Sequence, residues 1–400
     1  MSRLNELIQQ YCPDGVEYKK LGEVLGVNRG RRLTKMQLSD DGQYYVYHGS
    51  KDTPLGKYSQ FNVKGNTTIV VNTGGIGGVK FCDDDFWCSD GSFWIGHSDL
   101  FNDKFVFYYL SPLEPYFASQ KRVGGVPTID RSVVENVEIP VPPLPVQEEI
   151  VRILDTLTEL QTELQTELQK RKQQYEYYRD KLLSFSDLGD RGGRNVSVEW
   201  KKLGELGVFY GGLSGKTKDD FSKGNAKFIS YKNVFYNLSL NVDTDERVKI
   251  EEGEKQNTIQ YGDILFTGSS ETPDECGMSS VLTQKTDEKL YLNSFCFGYR
   301  LHNPSQFCLH FLKHLFRSSE LRKQIGKTAS GTTRFNVSKK RFAEVSIPIP
   351  PLSDQKQIAD ILDKFYTLTA DLTAGLPAEI EARRKQYEYY RDKLLTFKKK

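Results

Sequence analysis

Little in this chain points to a secreted or membrane setting. Its six cysteines (Cys12, Cys82, Cys88, Cys276, Cys296 and Cys308) are scattered through 400 residues, with no CxxC pair. A secreted disulfide scaffold is shorter and denser in cysteine, so free thiols in a reducing cytoplasm are expected. No apolar run approaches the ~18 residues that a membrane span requires. The first residues, Met1–Cys12, are polar and amphipathic and lack the apolar centre of a signal peptide. A soluble, cytoplasmic protein is the expectation. An excess of one charge is missing too: 55 basic residues face 53 acidic ones, for a formal net charge of +2. A lone DNA-binding module is usually more basic. A chain so balanced that grips DNA must cluster its cations or share phosphate contacts with partners.

What is present is the composition of folded material, 38% hydrophobic and 12% aromatic, in a chain long enough for two or three domains. The chain is also written twice. VEYKKLGEV at Val16–Val24 returns as VEWKKLGEL at Val198–Leu206. VEIPVPPLPVQEEIVRILD at Val137–Asp155 returns as VSIPIPPLSDQKQIADILD at Val345–Asp363. QYEYYRDKLL at Gln174–Leu183 returns unchanged at Gln386–Leu395. Residues 25–136 and 207–344, which lie between these anchors, show little similarity. The order is variable, constant, variable, constant.

Each constant part opens on prolines (Pro140, Pro142, Pro143; Pro348, Pro350, Pro351), which end any strand or helix before them. Apolar residues then recur at steps of three, four and seven, which predicts amphipathic helices of ~40 residues. The stripe takes in Leu157, Leu160, Leu164, Leu168, Tyr175 and Tyr178 in the first copy. In the second it takes in Ile361, Phe365, Leu368, Leu372, Leu376, Tyr387 and Tyr390. The economical partner for each stripe is the other, as a coiled-coil-like pair. Pro377 after Gly375 should kink or restart the second helix. The variable parts read as mixed α and β. Short β-rich runs such as Thr67–Val71 and Asp263–Phe266 are followed by helical stretches near 104–118 and 307–325.

No complete catalytic, cofactor or metal constellation emerges. Gly211–Thr217 (GGLSGKT) fails the phosphate-loop spacing, since glycine is needed where Tyr210 stands. Asp274, Asp287 and Lys289 fit only a permissive nuclease pattern, which also reads as a polar turn. His310 and His314 are four apart but lack the further ligands of a zinc site. Basic groups cluster at matching places in the two repeats. Arg29, Arg31, Arg32 and Lys35 lie in one loop, and Lys216 and Lys218 in its counterpart. Lys121 and Arg122 precede one constant segment; Arg334, Lys339, Lys340 and Arg341 precede the other. DNA phosphate or base contact and a solvated turn both remain open for these groups. Gly77, in the glycine run before Lys80, either lets backbone approach DNA or forms a plain hairpin.

The repeat order, the IPxPPL…Q…I…LD boundaries, the QYEYYRDKLL helix ends and a threefold TELQ tract at Thr158–Gln169 resemble one family. That family is the specificity subunits of Type I restriction–modification systems, in the subgroup with a central tetrapeptide repeat. The resemblance implies an α+β (mixed α/β) fold: two target-recognition domains joined by two long antiparallel coiled-coil spacer helices, with a pseudo-two-fold internal repeat. It divides the chain into a first recognition domain (1–143), a central spacer helix (144–186), a linker (187–197), a second recognition domain (198–351) and a C-terminal spacer helix (352–400). It implies that each domain reads half of a bipartite site in double-stranded DNA. The spacers would set the gap and dock two methyltransferase subunits, and motor-nuclease subunits would complete the complex. S-adenosylmethionine, ATP and Mg would sit on those partners, and none on this chain. One departure stands out: Gln386 comes 23 positions after Asp363, whereas Gln174 comes 19 after Asp155, so the two helices need not match in length. A nuclease or methylase in its own right and a pure coiled-coil scaffold are the alternatives.

Overall fold

The computed structural model describes residues 2–122, 126–185, 198–222, 224–370 and 375–400. The linker expected over 187–197 and the spacer residue Leu372 lie outside them. The chain divides into two compact units, Met1–Gln165 with Ile380–Lys400, and Thr166–Glu379. This division follows compactness, whereas the segments above follow the repeat.

In the first unit, strands β1 (Tyr18–Lys20) and β9 (Glu138–Pro140) pair antiparallel where the constant anchors begin and end. Between them run β2 (Val27–Arg29), β3 (Tyr44–Tyr47), β4 (Gly56–Tyr58), β5 (Thr67–Val71), β6 (Val79–Cys82), β7 (Trp87–Cys88) and β8 (Ser92–Ile95). The main sheet has the order β2-β8-β5-β6, and β4-β3-β7 forms a second one. Strand β5, TTIVV, is buried at every residue, as expected of a short β-branched run in a sheet interior. Helix Asp103–Leu110 covers the sheet through Phe105, Val106, Tyr108 and Leu110; Asn102 caps its first turn.

The second unit repeats this plan in unrelated sequence. Strands β10 (Glu199–Lys202) and β22 (Ser346–Ile349) are the anchor pair. They enclose β11 (Gly207–Gly211), β12 (Ala226–Ile229), β13 (Arg247–Val248), β14 (Thr258–Ile259), β15 (Ile264–Thr267), β16 (Ser269–Ser270), β17 (Ser279–Val281), β18 (Leu290–Leu292), β19 (Cys296–Leu301), β20 (Ala329–Ser330) and β21 (Phe335–Val337). The main sheet is β11-β19-β15-β17, strand for strand the order of the first. The parallel pair β12–β18, with β13 antiparallel on its far side, matches β3–β7 with β4. Helices Leu309–Leu315 and Ser319–Gly326 cover the sheet.

The constant residues explain themselves as joints. Gln147 is fully buried; it accepts from the Asn102 amide at 2.8 Å and donates to the Leu100 and Pro142 carbonyls. Gln355 makes the same three bonds to Cys308, Gln306 and Pro350. A buried amide so fully satisfied fixes where each long helix leaves its domain. Two turns on, Asp155 accepts from Lys104 and Tyr108, while Asp363 accepts from His310 and His314. Partners at i and i+4 thus meet one carboxylate in both copies. This is what occupies the histidine pair. Burial lowers the affinity of His314 for a proton. A neutral ring then accepts from the Tyr175 hydroxyl at Nδ1 and donates from Nε2 to Asp363. Burial acts to raise the Asp363 carboxyl, but hydrogen bonds from His314 and Lys313 outweigh it, and the group sits well below the carboxylate range.

Leu144–Leu183 is one 40-residue helix. Its counterpart is two helices of 19 residues, Leu352–Ala370 and Leu376–Leu394. The restart comes at Gly375, with φ +81°, followed by Pro377. The buried stripes also differ in detail from the expected ones. Leu160 is 41% and Leu368 49% exposed, and Ile361 is exposed too. In their place, Gln161 and the buried Thr369 lie on the stripe, one position further on. Choosing leucines by identity took the i+3 neighbour where the helix face passes through i+4. Leu157, Leu164, Leu168 and Leu376 are half-buried.

Candidate nucleic-acid interface

The register places the variable loops of each unit at one end of its sheet. Strand β5 ends at Val71 opposite Ser92, where β8 begins, and β2 ends at Arg29 opposite Phe93. Loops leaving β2 and β5 and entering β8 therefore share that end. The loop after β3 joins them, since the Gly75 amide donates to the Gly49 carbonyl and the Gly91 amide to His48 Nδ1. So does the loop before residue 129, through Ile129 N–H to the Asn72 carbonyl. The second unit repeats the joints: Gly268 N–H donates to the Phe295 carbonyl at 2.7 Å and Val337 N–H to the Gly268 carbonyl at 2.9 Å. Such loops on a rigid sheet are free to vary without disturbing the core.

Several of the basic candidates stand at these ends. Arg29, Arg31, Arg32, Lys35, Lys121, Lys218 and Lys340 are exposed and make no ion pair among the described residues. Arg122 pairs with Asp130. Lys80 lies in β6, its ammonium 5.3 Å from the Tyr47 ring centre. Lys339 covers the Phe297 ring, and Arg341 is exposed. Two candidates are committed inside the protein. The Lys216 side chain is 8% exposed and donates to Glu254 at 2.5 Å, holding that carboxyl at about 2. Gly77, with φ +87°, is buried; a Cβ there would meet the Ala118 amide at 2.7 Å and the Glu114 carbonyl at 2.8 Å. Its close approach is to this chain's own helix, so glycine is required by packing.

Sequence reasoning missed the residues that hold the loops. In the second unit, Arg317 donates to the carbonyls of Val234, Phe235 and Ser279 at 2.6–3.2 Å, tying the short helix Tyr231–Tyr236 after β12 to the start of β17. Arg322 donates to the carbonyls of Asp274, Cys276 and Gly277. Burial lowers both guanidinium groups to about 10, so each stays charged at neutral pH. Neither has a carboxylate in hydrogen-bond contact among the described residues. In the first unit, Glu114 does the equivalent work with the opposite charge, accepting from the Val79 amide and from Lys51. Nothing local marks these residues, because the bonds close loops far apart in sequence.

Two cavities open beside the pinned loops. One, of about 440 Å³, is lined by Lys51, Gly75, Gly78 and Glu114. The other, of about 630 Å³, is walled by Tyr231, Phe235, Tyr236, Phe295 and Arg334. The Arg334 guanidinium lies 5.4 Å from the Phe295 ring centre and donates to Ser269 Oγ. Asp274, Asp287 and Lys289 are exposed; Asp274 offers its backbone carbonyl to Arg322, and neighbouring Glu288 pairs with Lys227. Among the described residues, no three metal-ligating side chains gather as they would around an ion, and no helix is long and apolar enough to cross a membrane. All six cysteines are free.

The sequence profile of the Type I restriction modification DNA specificity domain matches residues 13–172 and again 195–382. The chain belongs to this family. Each match takes in one variable segment and much of the constant segment after it. The specificity subunit of the Escherichia coli Type I restriction enzymes EcoR124I and EcoR124II is 35% identical over 314 residues, 74% of this chain and 71% of that one. A Haemophilus influenzae protein named as a Type I restriction enzyme specificity subunit is 30% identical over 421 aligned positions, 96% of each chain. Among solved structures, the Type I specificity subunit of M. genitalium superposes with a TM-score of 0.54 at 17% identity, over 96% of both chains. A chain from a study of Type I complex assembly gives 0.57 at 20%, covering 96% of this chain and 98% of that one. These two establish the likeness of fold.

Proposed function

We propose that this specificity subunit reads a bipartite site in double-stranded DNA, one half with each recognition domain, and performs no catalysis of its own. The observation that carries this reading is the repeated loop end: one strand order presents two unrelated loop sets, each bearing exposed cations. Duplicated scaffolds with divergent loops suit two different short sequences, because base edges are read by loop side chains and phosphate contacts fix the register. The recognition domains would span 1–143 and 198–351, and the spacers 144–186 and 352–400, with 187–197 between the repeats. The spacers would run antiparallel as a coiled coil in a pseudo-two-fold arrangement, set the gap, and dock two methyltransferase subunits. S-adenosylmethionine would sit on those, and ATP and Mg on motor-nuclease subunits, in the cytoplasm. A small net charge agrees with partners sharing the phosphate contacts.

The TELQ tract, Thr158–Gln169, lies wholly in the 40-residue helix. Four residues add ~6 Å and a net twist of ~40°, which keeps the buried stripe nearly in place. One base pair advances ~3.4 Å and turns roughly 34°. Mapping methylated adenines in cells carrying the chain and its methyltransferase partners tests the proposal. A two-part site is expected, and deletion of Thr162–Gln165 should shorten the unread gap by one or two base pairs, with both halves unchanged. A continuous site, or an active deletion variant with an unaltered gap, would contradict it.

A further inference from the structure

The larger cavity of the second unit carries more than loop packing requires. Phe295 is 56% and Tyr236 72% exposed at its rim. Apolar rings this open, grouped around one cleft, mark a binding surface. Neither ring is loosely placed. The Phe295 backbone is held by the Gly268 amide and by Asn293 Oδ1, which accepts from the Phe295 amide at 2.8 Å. Tyr236 ends the helix whose last carbonyls Arg317 grips, and its ring packs on Phe235 at 4.9 Å.

The polar groups narrow the ligand. Glu271 and Glu275 line the cleft, and Glu275 is oriented by hydroxyl donors from Ser270 and Thr272 at 3.2 and 3.0 Å. Carboxylates repel a phosphate but accept from an exocyclic amino group. Lys232 and Arg334 on the lining, with the half-buried Arg317 and Arg322 bonded to the backbone of neighbouring segments, supply positive charge for a sugar–phosphate backbone that stays outside. A volume of about 630 Å³ is ample for one planar base. We propose that this cleft receives an amino-bearing base (adenine, cytosine or guanine) displaced from the duplex stack, stacked on Phe295 and Tyr236 with its amino group toward Glu271 and Glu275. The inference rests on the chain reading DNA.

Displacing a base costs unpairing and unstacking, and a mismatch lowers that cost. The test is competition binding by the full chain assembled with its methyltransferase partners. Duplexes carry the mapped site with one pair at a time mismatched, an amino-bearing base of the pair being kept in turn. One position, in one half-site alone, should bind about fivefold tighter or more when mismatched. The double variant Phe295→Ala/Tyr236→Ala should lose that gain, and so should Phe295→Leu, which keeps apolar bulk without a ring. Sequence-specific binding with no such position, or a gain that survives both variants, overturns the cleft and leaves the proposed function standing. Binding by the unaltered complex without sequence preference overturns both.

Discussion

Deleting residues 380–400 should unfold the N-terminal unit and leave the fold of residues 198–349 in place. The C-terminal helix and tail belong to the first unit's core, where Leu394 and Leu395 are buried with Leu4, Cys12 and Val16. Tyr387, Tyr390 and Phe397 pack against the same cluster. The tail also closes backbone bonds: Val16 N–H donates to the Lys398 carbonyl at 2.9 Å and Lys400 N–H to the Val16 carbonyl at 3.0 Å. Emptying two leucine sites alone costs roughly 4–10 kcal/mol, and a domain holds only about 5–15 kcal/mol in all. Leu394→Ala in the full chain should cost about 3 kcal/mol. Hydrogen exchange reads the outcome locally: protection should vanish in Thr67–Val71 and Ser92–Ile95 and persist in Ile264–Thr267 and Cys296–Leu301. Undiminished protection of the first pair in the truncated chain would show that the unit is complete without its C-terminal helix.

Arg317→Leu should abolish recognition of one half-site and spare the other. The side chain occupies three carbonyls, two on the helix Tyr231–Tyr236 and one at the start of β17, and leucine leaves them without its donors. That costs about 3 kcal/mol or more and frees the wall of the larger cavity. Arg317→Lys retains the charge but not the planar fork, and should recover only part of the function. Glu114→Leu is the mirror experiment, releasing the Val79 amide and Lys51 and affecting the opposite half-site. Methylation of substrates carrying each half-site in altered form distinguishes the cases. Loss of both halves in either variant would mean that the two loop sets are not independent.

The joints of this chain were legible in its sequence, and the pins were not. Anchors such as IPxPPL…Q…LD recur because Gln147 and Gln355 make the same three backbone bonds, and Asp155 and Asp363 each take two donors four apart on a helix, in both copies. Their geometry depends on a helix period that sequence displays. Gly375 and Pro377 likewise marked the helix restart, because their backbone preferences act locally. Arg317 and Glu114 do one job with opposite charge, so no recurrence could reveal them. Lys216 looked like a free cation until folding brought Glu254 beside it, 38 residues away. Gly77 looked like an opening for DNA because a glycine required by a neighbouring helix has the same spelling as one required by a ligand. The stripe runs through the half-buried Gln161 and the buried Thr369, whose hydroxyl is satisfied by the Phe365 carbonyl, polar groups that a search for leucines passes over.

The central claim is that each variable segment reads its own half of the site. Exchanging residues 25–136 for the matching segment of a relative with a different target, then mapping methylated adenines genome-wide, tests it most directly. One half of the site should change to the relative's half, with the other half and the gap retained. A change in both halves, or in neither while methylation continues, would contradict the account.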